Sequence, residues 1–243
     1  MEIFRENEWT EKIKGPLWYM EVPLFIEKLS KLRVKNESKY RTIIKNVYSF
    51  FEKQLALGNV FLGNTSDVWD IQRKKIDTIV IHHTHIGEKL TKDRLSAIEL
   101  IRLYAPYFSN PYLGMDKHIK GKPIFSGHLR NNKQVFYPYH WIVRKNGEVE
   151  QLLFDNEIGW HAGNWEVNCR SVAIVLDGNY ENSIPPEIQL NAVTDLIKEK
   201  YPMVKKNMIV GHREVNLKTT CPSNLFLSEG ERVGWKDNLI RMI

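Results

Sequence analysis

The chain has 243 residues, of which 42% are hydrophobic, and a formal net charge of +6. This length fits one large domain, and we expect neither a membrane span nor a secretory leader, because the sequence lacks a long apolar run and its first residues are densely charged. The lysines are scattered without a nucleic-acid-binding motif, so no nucleic-acid partner is expected. Two cysteines, Cys169 and Cys221, are too few for a small disulfide scaffold.

Residues 1–72 are predicted to form an N-terminal, mostly helical extension. From Lys39 to Leu57 apolar residues recur at helical spacing, and Gly58 marks the expected end of this helix. An amphipathic helix needs a core to bury its apolar face, so we expect the extension to pack on the main domain. A module that binds a separate partner is the alternative.

Residues 73–243 are predicted to form one α/β domain with a central mixed sheet flanked by helices. A loop rich in Pro, Gly and Asn separates the early elements from the later ones, between Ala105 and Val135. An Asn146-Gly147 turn predicts a hairpin. The predicted strands are Thr78–His82, Tyr139–Arg144, Glu148–Leu153, Ser171–Leu176 and Asn207–Val210, and the predicted helices are Lys92–Tyr104 and Pro186–Lys200.

Two histidines follow short apolar strands in the same way. His82 ends the run Ile79-Val80-Ile81, and His212 follows Ile209-Val210-Gly211. The carboxyl ends of neighbouring strands form one edge of a sheet, where ligands collect. Cys221 comes nine residues after His212, within reach of that edge. Two histidines and a cysteine suit Zn²⁺ and leave a fourth position for water, although spacing alone also allows a chance arrangement.

Five blocks of sequence, in order, carry a family resemblance that covers roughly residues 75 to 227. They are IVIHHT at Ile79–Thr84, YHWIV at Tyr139–Val143, HAG at His161–Gly163, NCRSVAI at Asn168–Ile174, and GHREV with TTCP at Gly211–Val215 and Thr219–Pro222. Together they resemble the type-2 N-acetylmuramoyl-L-alanine amidase family, which includes phage lysozyme-type amidases and peptidoglycan recognition proteins. The resemblance implies the fold of that family.

The resemblance also implies a zinc-dependent hydrolase that cleaves the amide bond between N-acetylmuramic acid and L-alanine in peptidoglycan or muropeptides. By position, His82, His212 and Cys221 are the zinc ligands. Tyr139 falls where the family places a tyrosine that helps water attack.

Further positions of the resemblance fall around the expected cleft. Thr219 falls beside the expected oxyanion, with Lys218, one residue away, as a second candidate. His83, His161 and Asn168 are the implied substrate-binding residues, and His83 has a supporting role behind a ligand as its alternative.

Several positions depart from the family pattern. Ser223 replaces the usual glycine, and the segment Pro106–Val135 is longer than in compact members. Val175 stands where cytoplasmic anhydro-muramyl amidases have a glutamate, and Cys221 where they have an aspartate, so both positions point away from that subgroup.

The alternatives are a non-catalytic peptidoglycan-binding module, a zinc amidase acting on a different amide, and a cysteine hydrolase using Cys221 with His212. We expect a cytoplasmic protein, or a phage-encoded one released to the cell wall. The sequence makes no prediction about its oligomeric state.

Overall fold

The structure is a computed structural model of the chain, and it describes residues 3–64, 69–86, 90–110 and 120–243. The chain forms two compact units. One consists of Met1–Val68 and Thr91–Phe136, and the other of Trp69–Leu90 and Tyr137–Ile243. The segment Thr91–Phe136 therefore packs with the N-terminal segment. The division into functional domains at residues 72 and 73 stays a prediction.

Helices and strands alternate between Trp165 and Val215. The helices are α1 (Glu6–Lys12), α2 (Val22–Lys35), α3 (Glu37–Leu57), α4 (Lys92–Glu99), α5 (Ala105–Ser109), α6 (Trp165–Arg170), α7 (Glu187–Lys200), α8 (His212–Val215) and α9 (Trp235–Met242). The strands are β1 (Thr78–His83), β2 (Leu129–Arg130), β3 (Lys133–Gln134), β4 (Trp141–Val143), β5 (Val149–Gln151), β6 (Ser171–Leu176) and β7 (Ile209–Gly211).

The first unit is built on helix α3, whose two ends carry clear capping signals. The side chain of Asn36 accepts a hydrogen bond from the backbone N–H of Lys39, and Gly58 ends the helix with a φ of 71°. The apolar face of α3 then packs into an aromatic cluster formed by Phe4, Trp9, Trp18, Phe25, Phe50 and Phe51. The predicted helical extension is thus present.

The second unit contains a five-stranded sheet of order β5-β4-β6-β1-β7. Strands β4, β6, β1 and β7 run parallel, and β5 pairs antiparallel with β4 through the predicted hairpin. Every residue of β1 and β6 is buried, as expected for parallel strands covered on both faces. The predicted mixed α/β sheet with flanking helices is confirmed.

The two faces of β1 have different neighbours, because successive side chains of a strand point in opposite directions. Ile79 and Ile81 join the core with helices α7 and α9. Val80 packs with Ala162 and Val167 on the other face. His82, two residues after Val80, therefore projects on the side of Ala162.

Some predicted elements have different limits in the structure. The predicted helix Lys92–Tyr104 is α4 followed by a π-helical turn at Leu100–Tyr104. The predicted loop after Ala105 begins with α5 and contains the β2–β3 hairpin, while its residues 111–119 lie outside the described part of the chain. The last predicted strand begins later, because Lys206–Met208 forms a 3₁₀ turn before β7.

No helix in the part of the chain that the structure describes combines the length and the apolar character needed to cross a membrane.

Candidate active site

Strand register brings the two histidines side by side. Strand β1 pairs in parallel with β7, with Ile81 opposite Gly211, so the next residues, His82 and His212, lie at the same edge of the sheet. Their ring centroids are 4.6 Å apart. The imidazole of His82 is 1% exposed and that of His212 is partly buried. The juxtaposition expected from two neighbouring strands is present.

The loop after α8 returns Cys221 to this edge. The backbone N–H of Arg213 donates to the carbonyl of Cys221 at 2.7 Å, which ties the loop to the helix that begins at His212. The Sγ atom of Cys221 then lies 3.7 Å from Nδ1 of His82. One candidate ligand atom each from His82, His212 and Cys221 lies within 4.8 Å of the other two.

The donor set and its geometry fit a zinc ion. Tetrahedral zinc with nitrogen at about 2.0 Å and sulfur at about 2.3 Å separates these ligand atoms by roughly 3.5 Å. The 3.7 Å between Cys221 Sγ and His82 Nδ1 is close to that value. Nε2 of His212 is buried and has no hydrogen-bond partner among the described residues. A buried lone pair of this kind is what a bound cation would satisfy.

Burial keeps the two histidine rings neutral. It lowers the pKa of His212 to about 4, with a hydrogen bond to the Ala162 backbone opposing the shift. It lowers the pKa of His82 well below its usual value, helped by the neighbouring His212 and His161 rings. A neutral imidazole has the free lone pair that metal binding requires, so both rings are ready to act as ligands at neutral pH.

Tyr139 and His161 both lie against His82. The ring of Tyr139 is half-buried, and its centroid is 5.1 Å from that of His82. The ring of His161 is 5% exposed, and its Nδ1 lies 3.0 Å from Nε2 of His82. The residues that sequence reasoning assigned to water attack and to the cleft are therefore in contact with a candidate ligand.

Asn168 and His83 make contacts with the backbone. Oδ1 of Asn168 accepts from the N–H groups of His161 and Ala162, at 3.2 and 2.8 Å. His83 projects on the opposite face of β1 from His82, and its Nδ1 accepts from the N–H of Tyr180 at 2.9 Å. These contacts hold the surrounding chain in place, and the substrate-binding roles of both residues stay predictions.

Thr219 and Lys218 differ in their relation to the cluster. The hydroxyl of Thr219 accepts from the backbone N–H of Cys221 at 3.1 Å, and Thr219 is partly buried. Lys218 is exposed, and its backbone N–H donates to Oδ1 of Asn216. The structure therefore brings Thr219, and not Lys218, into direct contact with the chain of a candidate ligand.

Sequence reasoning did not assign roles to Ser171, Ala162 and Arg73. The Ser171 hydroxyl lies 3.1 Å from Nε2 of His161. The guanidinium of Arg73 donates to the carbonyls of Asn168 and Ser171 at 3.1 and 2.7 Å, which fixes the turn behind His161. Ser171 lies within a recognisable sequence block, but nothing in that block indicates the direction of its side chain.

Comparison with known families identifies the class of this α/β domain. The family model described as N-acetylmuramoyl-L-alanine amidase (Amidase_2) matches residues 72–224, more than half of the chain. The chain therefore belongs to this family, and the resemblance found in the sequence is confirmed.

Several known proteins are similar to the chain. The 1,6-anhydro-N-acetylmuramyl-L-alanine amidase AmpD of Haemophilus influenzae is 28% identical over 134 residues, covering 51% of this chain and 72% of that protein. The N-acetylmuramoyl-L-alanine amidase LysC of Clostridium intestinale is 21% identical, covering 73% of this chain and 89% of LysC, with a TM-score of 0.45. Drosophila peptidoglycan recognition protein SD is 21% identical, covering 72% and 86% of the two chains, with a TM-score of 0.40.

Proposed function

We propose that the chain is a zinc-dependent N-acetylmuramoyl-L-alanine amidase that hydrolyses the amide bond between N-acetylmuramic acid and L-alanine. The observation that carries this proposal is the convergence of His82, His212 and Cys221, each offering one ligand atom, at one edge of the sheet. Three protein ligands with a fourth position open are typical of catalytic zinc sites. Membership of the family supplies the substrate class, peptidoglycan or its muropeptide fragments.

The chemistry of the proposed reaction is divided between the cofactor and this chain. When bound, zinc lowers the pKa of a water molecule and polarises the amide carbonyl. We assign the phenol of Tyr139 to orient the attacking water, since its ring lies beside that of His82. Val175, which pairs with His82 across the sheet, is apolar and cannot act as a base at that position.

Thr219 is our candidate for stabilising the oxyanion. Its oxygen accepts from the N–H of Cys221, which leaves its own proton available for donation to the substrate oxygen. A preorganised donor of this kind typically contributes about 2.7–4 kcal/mol to the barrier. The exposed side chain of Lys218 would have to be ordered before it could act in the same way.

The test combines metal content with product analysis. Purified wild type should contain about one zinc per chain, as expected for a three-ligand site, and should release new L-alanine amino termini from peptidoglycan. His212→Ala and Cys221→Ala should each lose both properties. Cys169→Ala is the matched control, because Cys169 is a buried free cysteine outside the cluster.

Each outcome of this test distinguishes one possible function from the others. Zinc binding without release of alanine would contradict the amidase proposal and favour a binding module or a different amide. Activity that survives removal of zinc but is lost in Cys221→Ala would favour a cysteine nucleophile. Alkylation provides a second readout, since a thiol reagent should modify Cys221 only after zinc has been removed by a chelator.

A further inference from the structure

A continuous line of hydrogen bonds leads from a helix carbonyl to the candidate metal site. The hydroxyl of Ser171 donates to the carbonyl of Val167 at 2.6 Å and lies 3.1 Å from Nε2 of His161. Nδ1 of His161 lies 3.0 Å from Nε2 of His82. The opposite nitrogen of His82, Nδ1, faces Sγ of Cys221. We refer to Val167, Ser171, His161 and His82 as the relay.

The direction of every hydrogen bond in the relay follows from the carbonyl of Val167, with which the relay begins. A carbonyl only accepts, so the single hydroxyl proton of Ser171 is committed to Val167. The oxygen of Ser171 must then accept from His161, which places a proton on Nε2 of that ring. In a neutral ring the other nitrogen accepts, so Nδ1 of His161 receives the Nε2–H of His82.

We propose that Ser171, acting through His161, is a positioning residue that holds His82 in the Nε2–H tautomer and so directs the Nδ1 lone pair at the metal. This inference rests on the proposed function, since it assigns His82 as a zinc ligand. The opposite tautomer would aim an N–H at Cys221 and the cation, and would prevent coordination. Partners behind a metal-bound histidine commonly fix its tautomer and its orientation in this way.

Because the rings of His82 and His161 are buried, their hydrogen bonds are made within the relay rather than with water. His82 is 1% exposed, His161 is 5% exposed and Ser171 is fully buried, so water has little opportunity to replace any member. The backbone is held as well, because Oδ1 of Asn168 accepts from the N–H of His161 and Arg73 donates to the carbonyl of Ser171. The relay is therefore preorganised before metal binds.

The relay also changes the role expected of His161. Both of its ring nitrogens are engaged, one with His82 and the other with Ser171. The ring could donate to a substrate oxyanion only by giving up one of these buried hydrogen bonds. We therefore assign His161 to positioning His82, and leave oxyanion stabilisation to Thr219.

The first experiment reads the tautomers directly in metal-free protein at neutral pH. Long-range ¹H–¹⁵N spectra distinguish Nδ1–H from Nε2–H imidazoles, and we expect Nε2–H in both His82 and His161. A wild-type spectrum with the proton of His82 on Nδ1 would overturn the proposal. This measurement requires neither zinc nor activity, so its failure is distinguishable from failure of the proposed function.

The second experiment removes the hydroxyl of Ser171, which sets the direction of the hydrogen bonds in the relay. In Ser171→Ala, Nε2–H of His161 loses its acceptor, so we expect mixed tautomers at His82 and a zinc affinity about 10- to 100-fold lower in chelator competition. Thr194→Val is the matched control, because Thr194 is also buried and its hydroxyl donates to a carbonyl four residues earlier. That variant should leave the tautomers and the zinc affinity unchanged.

A double-mutant cycle separates positioning from general packing. The side-chain oxygen of Asn in His161→Asn can accept from Nε2–H of His82 without help from Ser171. Ser171→Ala should therefore lower zinc affinity in the wild-type background and have no further effect in the His161→Asn background. Equal losses in both backgrounds, or unchanged tautomers in Ser171→Ala, would overturn the proposal.

Discussion

The three histidines at the sheet edge share a property that is measurable without substrate. Burial lowers the pKa of His82 and of His161 well below the usual value, and lowers that of His212 to about 4. The unfolded chain, in contrast, protonates its histidines near pH 6.5. Between these values the unfolded state of the metal-free protein binds more protons than the folded state.

We therefore predict that the metal-free protein is stable above about pH 6.5 and loses stability as the pH falls towards 4, the folded-state pKa of His212. Each histidine that stays neutral contributes a loss of up to about 1.4 kcal/mol per pH unit in this window. Urea unfolding of metal-free wild type and His212→Gln at pH values between 7 and 5 measures this. The free energy of unfolding of His212→Gln should depend less steeply on pH than that of wild type. Equal slopes for the two proteins would contradict the prediction.

For single residues, the sequence predicts which residue types come together at the candidate metal site, but not which ring nitrogen of each histidine carries the proton. His82, His212 and Cys221 could be selected because their spacing places them at strand ends. The tautomer of His82 depends on the direction of the Ser171 hydroxyl, which is set by a contact with a helix carbonyl. Such a contact exists only after folding, so no reading of the sequence could have found it.

Strand β7 is closely packed by its neighbours at Gly211. A Cβ atom on Gly211 would lie 2.5 Å from the ring of Phe226 and 2.8 Å from Cδ of Pro222. Phe226 is fully buried, so a movement of its ring would disturb the side chains packed around it. Gly211 precedes one candidate ligand and its neighbour Pro222 follows another, so steric displacement at this position would alter both.

Gly211→Ala is therefore expected to destabilise the protein by about 1–3 kcal/mol, the usual cost of overpacking, and to lower its zinc content. Thermal unfolding and metal analysis of the purified variant provide the two measurements. Gly15→Ala is the control, because its Cβ would make an ordinary contact of 3.5 Å. A Gly211→Ala protein with the stability and zinc content of wild type would show that the neighbouring rings can adjust.

The ends of helices were predictable from the sequence where a single residue, such as a capping glycine, determines them. Helix α3 ends at Gly58 as expected, because a left-handed residue is needed there. The helix predicted from Lys92 to Tyr104 is helical throughout, but a π-helical turn occupies Leu100–Tyr104. A π turn shifts the helical repeat by one residue, and apolar spacing alone does not reveal this shift.

For the whole molecule, the grouping of the chain into units has a direct consequence for truncation. The backbone of Gly63 is hydrogen-bonded to the carbonyl of Ile124 at 2.7 Å and to the side chain of Gln134 at 2.7 Å. The ring of Tyr19 packs on that of Phe108, with centroids 6.0 Å apart. The N-terminal segment therefore completes the core of its unit.

A variant lacking residues 1–68 should lose much of its cooperative thermal transition and bind a hydrophobic dye, because the apolar faces of α4 and α5 lose their cover. Circular dichroism and dye fluorescence measure these effects. Val34→Ser, at a position 89% exposed in the same segment, is the control and should behave as wild type. A truncated chain with an unchanged transition would mean that residues 1–68 form a dispensable appendage.

The order of strands in the sheet also determines when the site can form during synthesis on a ribosome. Strand β1 lies between β6 and β7 in the sheet, yet these two partners begin only at Ser171 and Ile209. The first unit is complete at Phe136, so it can fold while β1 still lacks both neighbours. Cys221 emerges later still, and a nascent chain therefore cannot assemble the three-ligand cluster until Cys221 itself has been synthesised.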